Sequence, residues 1–159
     1  KETGTTYWNS PNTGADNTSG FNGRGGGRRS SATGTSLDQL IESEFWTSSA
    51  YDSTSAYYYA LYASSGSLGI QNQNHKVGSP IRLVKDTTSL THGQTGTYIG
   101  NDGKKYRTIC IDTQEWVADN LIETKYRNGS TIPEVTDNAT WIALTTGALC
   151  AYNNDWVNV

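Results

Sequence analysis

The fold class is decided in residues 98–111, which read YIGNDGKKYRTICI. Two β-prone runs flank the triplet Asn101-Asp102-Gly103, and an Asp-Gly pair readily adopts the positive φ angles of a tight hairpin turn. The stretch therefore predicts an antiparallel hairpin, with one strand before the triplet and one strand over residues 104–111.

Further strands are predicted on both sides of this hairpin. Residues 56–62 (AYYYALY) and 79–85 (SPIRLVK) are aromatic or β-branched and are bounded by Ser and Gly clusters, which is typical of strands. Residues 67–70 lie between them and predict a third strand of the same meander. Residues 148–152 predict another β segment.

Two segments predict short helices. The apolar side chains of residues 36–46 fall at helical spacing after Ser36, a candidate N-cap. Residues 137–144 predict a capped helix that ends before Gly147. The expected fold class is therefore α+β, mainly antiparallel β and loop-rich, with one or two short helices.

The composition, which is low in charged residues and rich in hydroxyl side chains, favours one folded β-rich domain. A length of 159 residues suits a single domain, and 5 Trp and 10 Tyr provide the apolar area that disordered chains lack. The net charge of −3 provides no basic field for nucleic acid. No apolar run reaches the roughly 20 residues of a membrane span, so neither a nucleic-acid partner nor a membrane span is expected.

Residues with the usual catalytic or metal-binding patterns are sparse. A Gly-x-Ser-x-Gly elbow is absent from the sequence, and His75 and His92 are the only histidines. The aspartates are dispersed, so we expect no catalytic residue, no metal site and no cofactor. Arg24, Arg28 and Arg29 surround three glycines, which predicts either a phosphate-cradling nest or a loop with a positive φ at one glycine.

Covalent features are expected at two cysteines and three asparagines. Cys110 and Cys150 lie 40 positions apart without metal-site spacing, so they form either a disulfide, as in many secreted proteins, or two separate buried thiols. Asn17, Asn128 and Asn138 each begin an Asn-x-Ser/Thr sequon and are candidate glycosylation sites.

Four tyrosines are candidates for stacking against sugars. Tyr57, Tyr58, Tyr59 and Tyr62 fall within one predicted strand and could present an aromatic platform. Alternating burial in a strand explains Tyr57 and Tyr59 without any ligand. Both interpretations stay open from the sequence.

Long blocks of the chain resemble one known family. Residues 101–155 contain NDGKKYRTICIDTQEWVADNL and GSTIPEVTDNATWIALTTGALCAYNND, and residues 1–86 contain KETGTTYWNSPNTGADNTSGF, FWTSSAYDSTSAYYYALY and IRLVKD. These blocks resemble the Fibrobacter succinogenes major paralogous domain, found in secreted bacterial proteins. The resemblance implies a C-type-lectin-like fold, a twisted antiparallel sheet with long loops.

The order of the blocks departs from that family. The block at residues 101–155 opens the family's domain and IRLVKD closes it, whereas here the closing half comes first and the family's middle segment is missing. The expected organisation is a C-terminal half at 1–86, a linker at 87–97 and an N-terminal half at 98–159. These two halves belong either to one domain or to successive copies.

Neither half can be stable alone, because its strand edges and apolar face would remain uncovered. The halves pair within one chain as a circular permutant, pair across copies, or belong to a window of a longer repeat array. We expect a non-enzymatic subunit of an extracellular bacterial surface filament, in which copies join head to tail by sharing strands. The alternative is a carbohydrate-binding adhesin module of a secreted or cell-surface protein, with surface carbohydrate or covalent glycans as partners.

Overall fold

A computed structural model of the chain describes residues 1–158. Its longest strands form a three-stranded antiparallel sheet with the order β3-β4-β5. The strands are β3 (Glu42–Ala50), β4 (Ser55–Tyr62) and β5 (Ser65–Asn74). The predicted strands over residues 56–62 and 67–70 are thereby confirmed, and short turns connect all three strands into a meander.

A second sheet has four antiparallel strands in the order β6-β9-β8-β7. They are β6 (Val84–Lys85), β7 (Thr95–Ile99), β8 (Lys105–Ile111) and β9 (Gln114–Val117). The predicted hairpin at 98–111 is confirmed, since Gly100 N donates to Lys104 O at 2.8 Å and Gly103 has a φ of 87°.

The pairing of β6 with β9 joins the two predicted halves within one chain. Val84 lies opposite Trp116, and the contact continues as an irregular ladder in which Val117 N donates to Leu83 O at 2.9 Å. The predicted strand over 79–85 is therefore regular only at its end. The segment expected to be a linker, residues 87–97, contributes its last residues to β7.

The predicted helix over residues 36–46 is wrong. This segment forms β2 (Ser36–Leu37), which pairs with β1 (Arg28–Arg29), and then the start of β3. Asp38 and Leu40 adopt φ angles of 63° and 64°, which a right-handed helix does not allow. Pairing with β4 outweighs the helical spacing of the apolar side chains.

The C-terminal region contains the one α-helix of the described residues, α1 (Asn138–Ala143). This confirms the helix predicted over 137–144, and Asp137 caps it by accepting from Thr140 N at 2.8 Å. The β segment predicted at 148–152 is wrong, because it makes only an isolated bridge at Leu149 and is followed by 3-10 turns. Within residues 1–158, no helix has the length and apolar character to cross a membrane.

Aromatic side chains of the irregular N-terminal 35 residues pack against the sheets. Trp8 is fully buried and its Nε1 donates to Gly23 O at 2.9 Å. The Phe21 ring makes edge contacts with Phe45 of β3 and Trp116 of β9, with ring centroids 5.6 and 5.8 Å apart. Phe21 therefore links the two sheets, and the fold is mostly antiparallel β with little helix.

Candidate interaction surface

Arg29 connects the first part of the chain to the C-terminal region. It is buried, and its Nε donates to Gly34 O at 2.7 Å. Its two Nη atoms donate to the backbone carbonyls of Val135 and Thr136, at 2.5 and 2.9 Å. The guanidinium also lies 4.3 Å from the ring centroid of Trp141. Arg29 thus holds two distant segments together, and within residues 1–158 it makes no ion pair with a carboxylate.

Arg82 has a similar role between the two sheets. Its Nε donates to Asn120 Oδ1 at 2.9 Å, and its Nη1 donates to Phe21 O and Val117 O at 3.1 and 3.2 Å. Nη2 donates to Asn22 O at 3.2 Å. Burial of the guanidinium lowers the pKa of Arg82 to about 10. All four acceptors are neutral, so Arg82 makes no ion pair within residues 1–158, although the nearby negative charge of Asp119 favours its charged form.

The other two arginines of the glycine-rich segment are paired with carboxylates. Arg24 makes an ion pair with Glu2, and Arg28 makes ion pairs with Asp38, Glu42 and Glu44. Gly27, directly before Arg28, has a φ of 63°. The interpretation of this segment as a loop with one positive-φ glycine therefore describes the structure.

An open groove of about 650 Å³ runs along the contact between the two chain regions. Its lining includes the apolar residues Pro80, Ile81, Leu121, Leu149 and Trp156, and the groove is mainly apolar. The carboxylate in its lining, that of Glu123, accepts from the backbone N–H groups of Thr124 and Lys125 and from those of the hairpin turn.

Alternation along β4 divides the four candidate tyrosines between the faces of the sheet. Tyr58 is 6% exposed, its hydroxyl donates to Gln71 Oε1, and Gln71 Nε2 donates to the Tyr62 hydroxyl, so Tyr58 and Tyr62 share one face. Tyr57 and Tyr59 lie on the other face, where Tyr59 is 42% exposed. A single four-tyrosine platform is not formed, because the strand period is two.

The outer edge of β5 is unpaired in the described chain. In an antiparallel ladder, hydrogen-bonded residue pairs alternate with pairs that are not hydrogen-bonded. The pair of His75 and Thr54 is hydrogen-bonded, because His75 N donates to Thr54 O. The backbone N–H and C=O groups of Ile70 and Asn72 therefore point away from β4. Leu68 and Ile70 are 58% and 59% exposed, and the strand sequence SGSLGIQNQN contains no charged residue.

The candidate disulfide is not formed. Cys110 is a fully buried free thiol on β8, with its Sγ 3.4 Å from both Leu90 O and Asp112 O. Cys150 is a half-buried free thiol beside the groove, and burial raises its pKa. The alternative of two separate thiols is the arrangement in the structure, because each sulfur lies in a different environment.

The three candidate glycosylation sites differ in access. The side chain of Asn17 is engaged with Asn22 through a side-chain bond and a backbone bond. Asn138 is exposed, and its Oδ1 accepts from Arg29 Nη2 at 3.2 Å. Asn128 is exposed in an Asx turn, where its Oδ1 accepts from Ser130. Asn128 is therefore the sequon with the fewest contacts to lose.

Both histidines take part in hydrogen bonds with the backbone of the sheets or their turns. His92 Nδ1 accepts from Asp112 N at 2.9 Å, and the His75 backbone N–H belongs to the β4–β5 ladder. Among residues 1–158, His, Cys, Asp and Glu side chains form no group of three or more with the geometry of a metal site.

Sequence reasoning missed the structural importance of Arg29 and Arg82. The available signal for Arg82 was its position in the apolar run Ile-Arg-Leu-Val, where alternation turns one side chain inward. Arg29 carried no comparable signal, since it follows a glycine-rich loop.

No protein-family model, curated protein or solved structure matches this chain significantly. The resemblance of its sequence blocks to a secreted bacterial family therefore stays a hypothesis.

Proposed function

We propose that the chain is a non-enzymatic structural module of an extracellular bacterial surface filament, with a C-type-lectin-like fold, in which copies join head to tail through β-strand edges. The observation that carries this proposal is the free edge of β5. Natural proteins normally protect such edges with charged residues, prolines or bulges, because an unprotected edge pairs with other chains.

The edge of β5 has only part of this protection, namely an irregularity in its pairing with β4 between Ser65 and Gly69. Its ten residues contain no charge, and the residues whose amides point outward neighbour the exposed Leu68 and Ile70 side chains. A partner strand at this edge would satisfy the backbone groups and cover the aliphatic side chains together. Each of these gains favours association.

A second free edge is available on the other sheet. Among residues 1–158, β7 pairs only with β8. Gly100 N donates to Lys104 O, so by the alternation of an antiparallel ladder the backbone groups of Thr97 and Ile99 point outward. Its sequence, TGTYI, is also uncharged. Pairing β5 of one copy with β7 of the next uses two different surfaces, and such a contact propagates instead of closing on itself.

The pairing within each chain changes the form of assembly expected from the block order. β6 and β9 already complete one sheet inside the chain, and Arg29 and Arg82 hold its two regions together. Copies therefore associate through the outer strand edges of a fold that each chain completes by itself, rather than by exchanging half-domains.

An extracellular location fits the low charge of 17% and the hydroxyl-rich, amide-rich sequence. The resemblance to a secreted bacterial family supports the same location. Covalent glycans at exposed sequons, first of all at Asn128, would hydrate a surface that has few charges.

Sedimentation and negative-stain electron microscopy of the purified chain test the filament. The wild-type chain is expected to form linear polymers as its concentration rises, and Ile70→Lys is expected to abolish them by placing a charge at the edge. Val157→Lys is the matched control, because Val157 is exposed but lies outside every strand. Monodisperse wild-type monomers at all concentrations would contradict the proposal.

Carbohydrate binding by an adhesin module is the second candidate function. It is favoured by Tyr59, which is exposed on the same face as Tyr57, and sugars stack on such rings. A glycan array tests it: Tyr59→Ser should lose any retained sugar, and Tyr58→Phe on the opposite face should keep it. An array that retains no sugar would remove this candidate.

A further inference from the structure

A second cleft, of about 410 Å³, has an excess of positive charge. Its volume lies within the roughly 300–1,000 Å³ of small-ligand sites. Four cationic side chains line it, from Arg24, Arg82, Lys104 and Lys105, with a single carboxylate, that of Asp119.

Two of the four cations have no carboxylate partner within residues 1–158. Arg24 is paired with Glu2 and Lys104 with Asp102, each at 2.6 Å. No ion pair of the described chain includes Arg82 or Lys105. The cleft therefore has two cations without an ion-pair partner, and its one carboxylate, that of Asp119, is paired with Arg107 outside the cleft lining.

The charge on Arg82 has the larger desolvation cost of the two, because Arg82 is buried and Lys105 is exposed. Its guanidinium is buried, and its acceptors are an amide oxygen and backbone carbonyls. A buried ion without an ion-pair partner carries a large desolvation penalty, of which the nearby Asp119 charge offsets a part for Arg82. Of the five N–H donors of an arginine, one on Nη2 has no acceptor among the described residues. An anion in the cleft would reduce the penalty.

The remaining polar groups of the cleft suit hydroxyl groups. The Asn120 amide lies beside Arg82 and has donor groups to offer. The Asp119 carboxylate accepts from Arg107 at 3.2 Å and retains further acceptor capacity. A ligand with both an anionic group and several hydroxyls would match this set better than a bare ion would.

We propose that this cleft binds an acidic sugar, with its carboxylate held by Lys105 and Arg82 and its hydroxyls by Asn120 and Asp119. Charge-assisted bonds from arginine and lysine to a carboxylate are among the stronger polar contacts in proteins. The site is separate from the β5 edge and from Tyr59. It stands whether or not copies polymerise and whether or not neutral sugars stack on β4.

Titration of the chain with glucuronate, glucose and acetate, followed by amide NMR shifts, tests the site. Saturable shifts at Ala118 and Asn120 are expected with glucuronate, with affinity about tenfold weaker for glucose and for acetate. Raised salt should weaken the glucuronate affinity, because part of the attraction is between charges.

The variants Lys105→Gln and Lys85→Gln separate the cleft from general surface charge. Lys105 has no hydrogen-bond partner in the described chain and Lys85 is exposed on β6 outside the cleft, so both variants should fold. Lys105→Gln is expected to weaken glucuronate about tenfold, and Lys85→Gln to leave it unchanged. Absence of saturable shifts, equal binding of acetate and glucuronate, or equal loss in both variants would overturn the proposal.

Discussion

The guanidinium of Arg29 lies 4.3 Å from the ring centroid of Trp141, although the two residues are on opposite sides of the predicted linker. The Trp141 Nε1 also donates to Lys76 O at 3.0 Å. Through these contacts helix α1 is fixed against the strands of the first region. The contact shows that the two regions of the chain share one folded unit.

Replacing Trp141 should therefore destabilise the whole unit. Trp141→Ala removes a buried ring together with its stacking and its hydrogen bond, and we expect a loss of about 3–5 kcal/mol in the free energy of unfolding. Ile142→Ala on the exposed side of α1 is the control, with an expected loss below about 1 kcal/mol. Denaturant unfolding measures both. Equal losses would show that the contact between the regions contributes little.

Asp102 should make the hairpin turn sensitive to acid. Its carboxylate accepts from Lys104 Nζ and from Lys104 N and Thr124 N, and these bonds hold the pKa of Asp102 well below its usual range. A lowered folded-state pKa contributes stability above the unfolded pKa of about 3.9, and this stability is lost as the pH falls through the folded value.

The comparison of wild type with Asp102→Asn measures that contribution. Wild type should be the more stable at neutral pH, and the difference should shrink below about pH 4, because the carboxylate is then protonated in the unfolded chain while it stays ionised in the folded chain. A carboxyl NMR titration gives the pKa of Asp102 directly. A constant difference between the two proteins across this pH range would contradict the expectation.

Gly27 should tolerate substitution poorly. Its φ is 63°, and a Cβ at this position would collide with the carbonyl oxygen of Leu37 on β2. Gly93 also has a positive φ, of 83°, but a Cβ there meets open space. Gly93→Ala should lose about 1 kcal/mol from backbone strain alone, and Gly27→Ala should lose more. Thermal unfolding of both variants tests the order.

Cys110 and Cys150 should be recovered as thiols. Intact-mass measurement of the purified chain is expected to show both thiol hydrogens, and a mass lower by these hydrogens would reveal a disulfide. In native labelling Cys110 should resist maleimide because it is fully buried. Burial raises the pKa of Cys150, so its labelling should be slow near neutral pH and faster in alkali.

Local signals in the sequence predicted the elements that local chemistry stabilises. The Asp102-Gly103 pair makes a turn by its own backbone preference, and Asp137 caps α1 through a bond that spans three residues. The alternation in β4 was also readable, but the expectation that Tyr57 and Tyr59 occupy the buried face was wrong, because Tyr58 is the buried tyrosine and Tyr59 is exposed. The error at residues 36–46 arose because the same apolar spacing fits a helix, and only pairing with β4 excludes it.

The candidate sites were harder to predict. Tyr57 to Tyr62 were identified as a group, but which of them share a face depends on the strand period and on what covers each face. Arg82 appeared as one residue of a strand. Its buried charge and its cleft became visible only when Asn22, Lys105 and Asn120 were brought beside it.

By itself the sequence determined a β-rich chain, its central hairpin and its capped helix, because turns, caps and strand periods depend on residues within a few positions. Only the tertiary structure decided that β6 pairs with β9 of the same chain, that the two cysteines stay apart and that Arg82 and Lys105 have no ion-pair partner within residues 1–158. Those outcomes depend on burial and on partners that are far apart along the chain, and a local pattern carries no information about either.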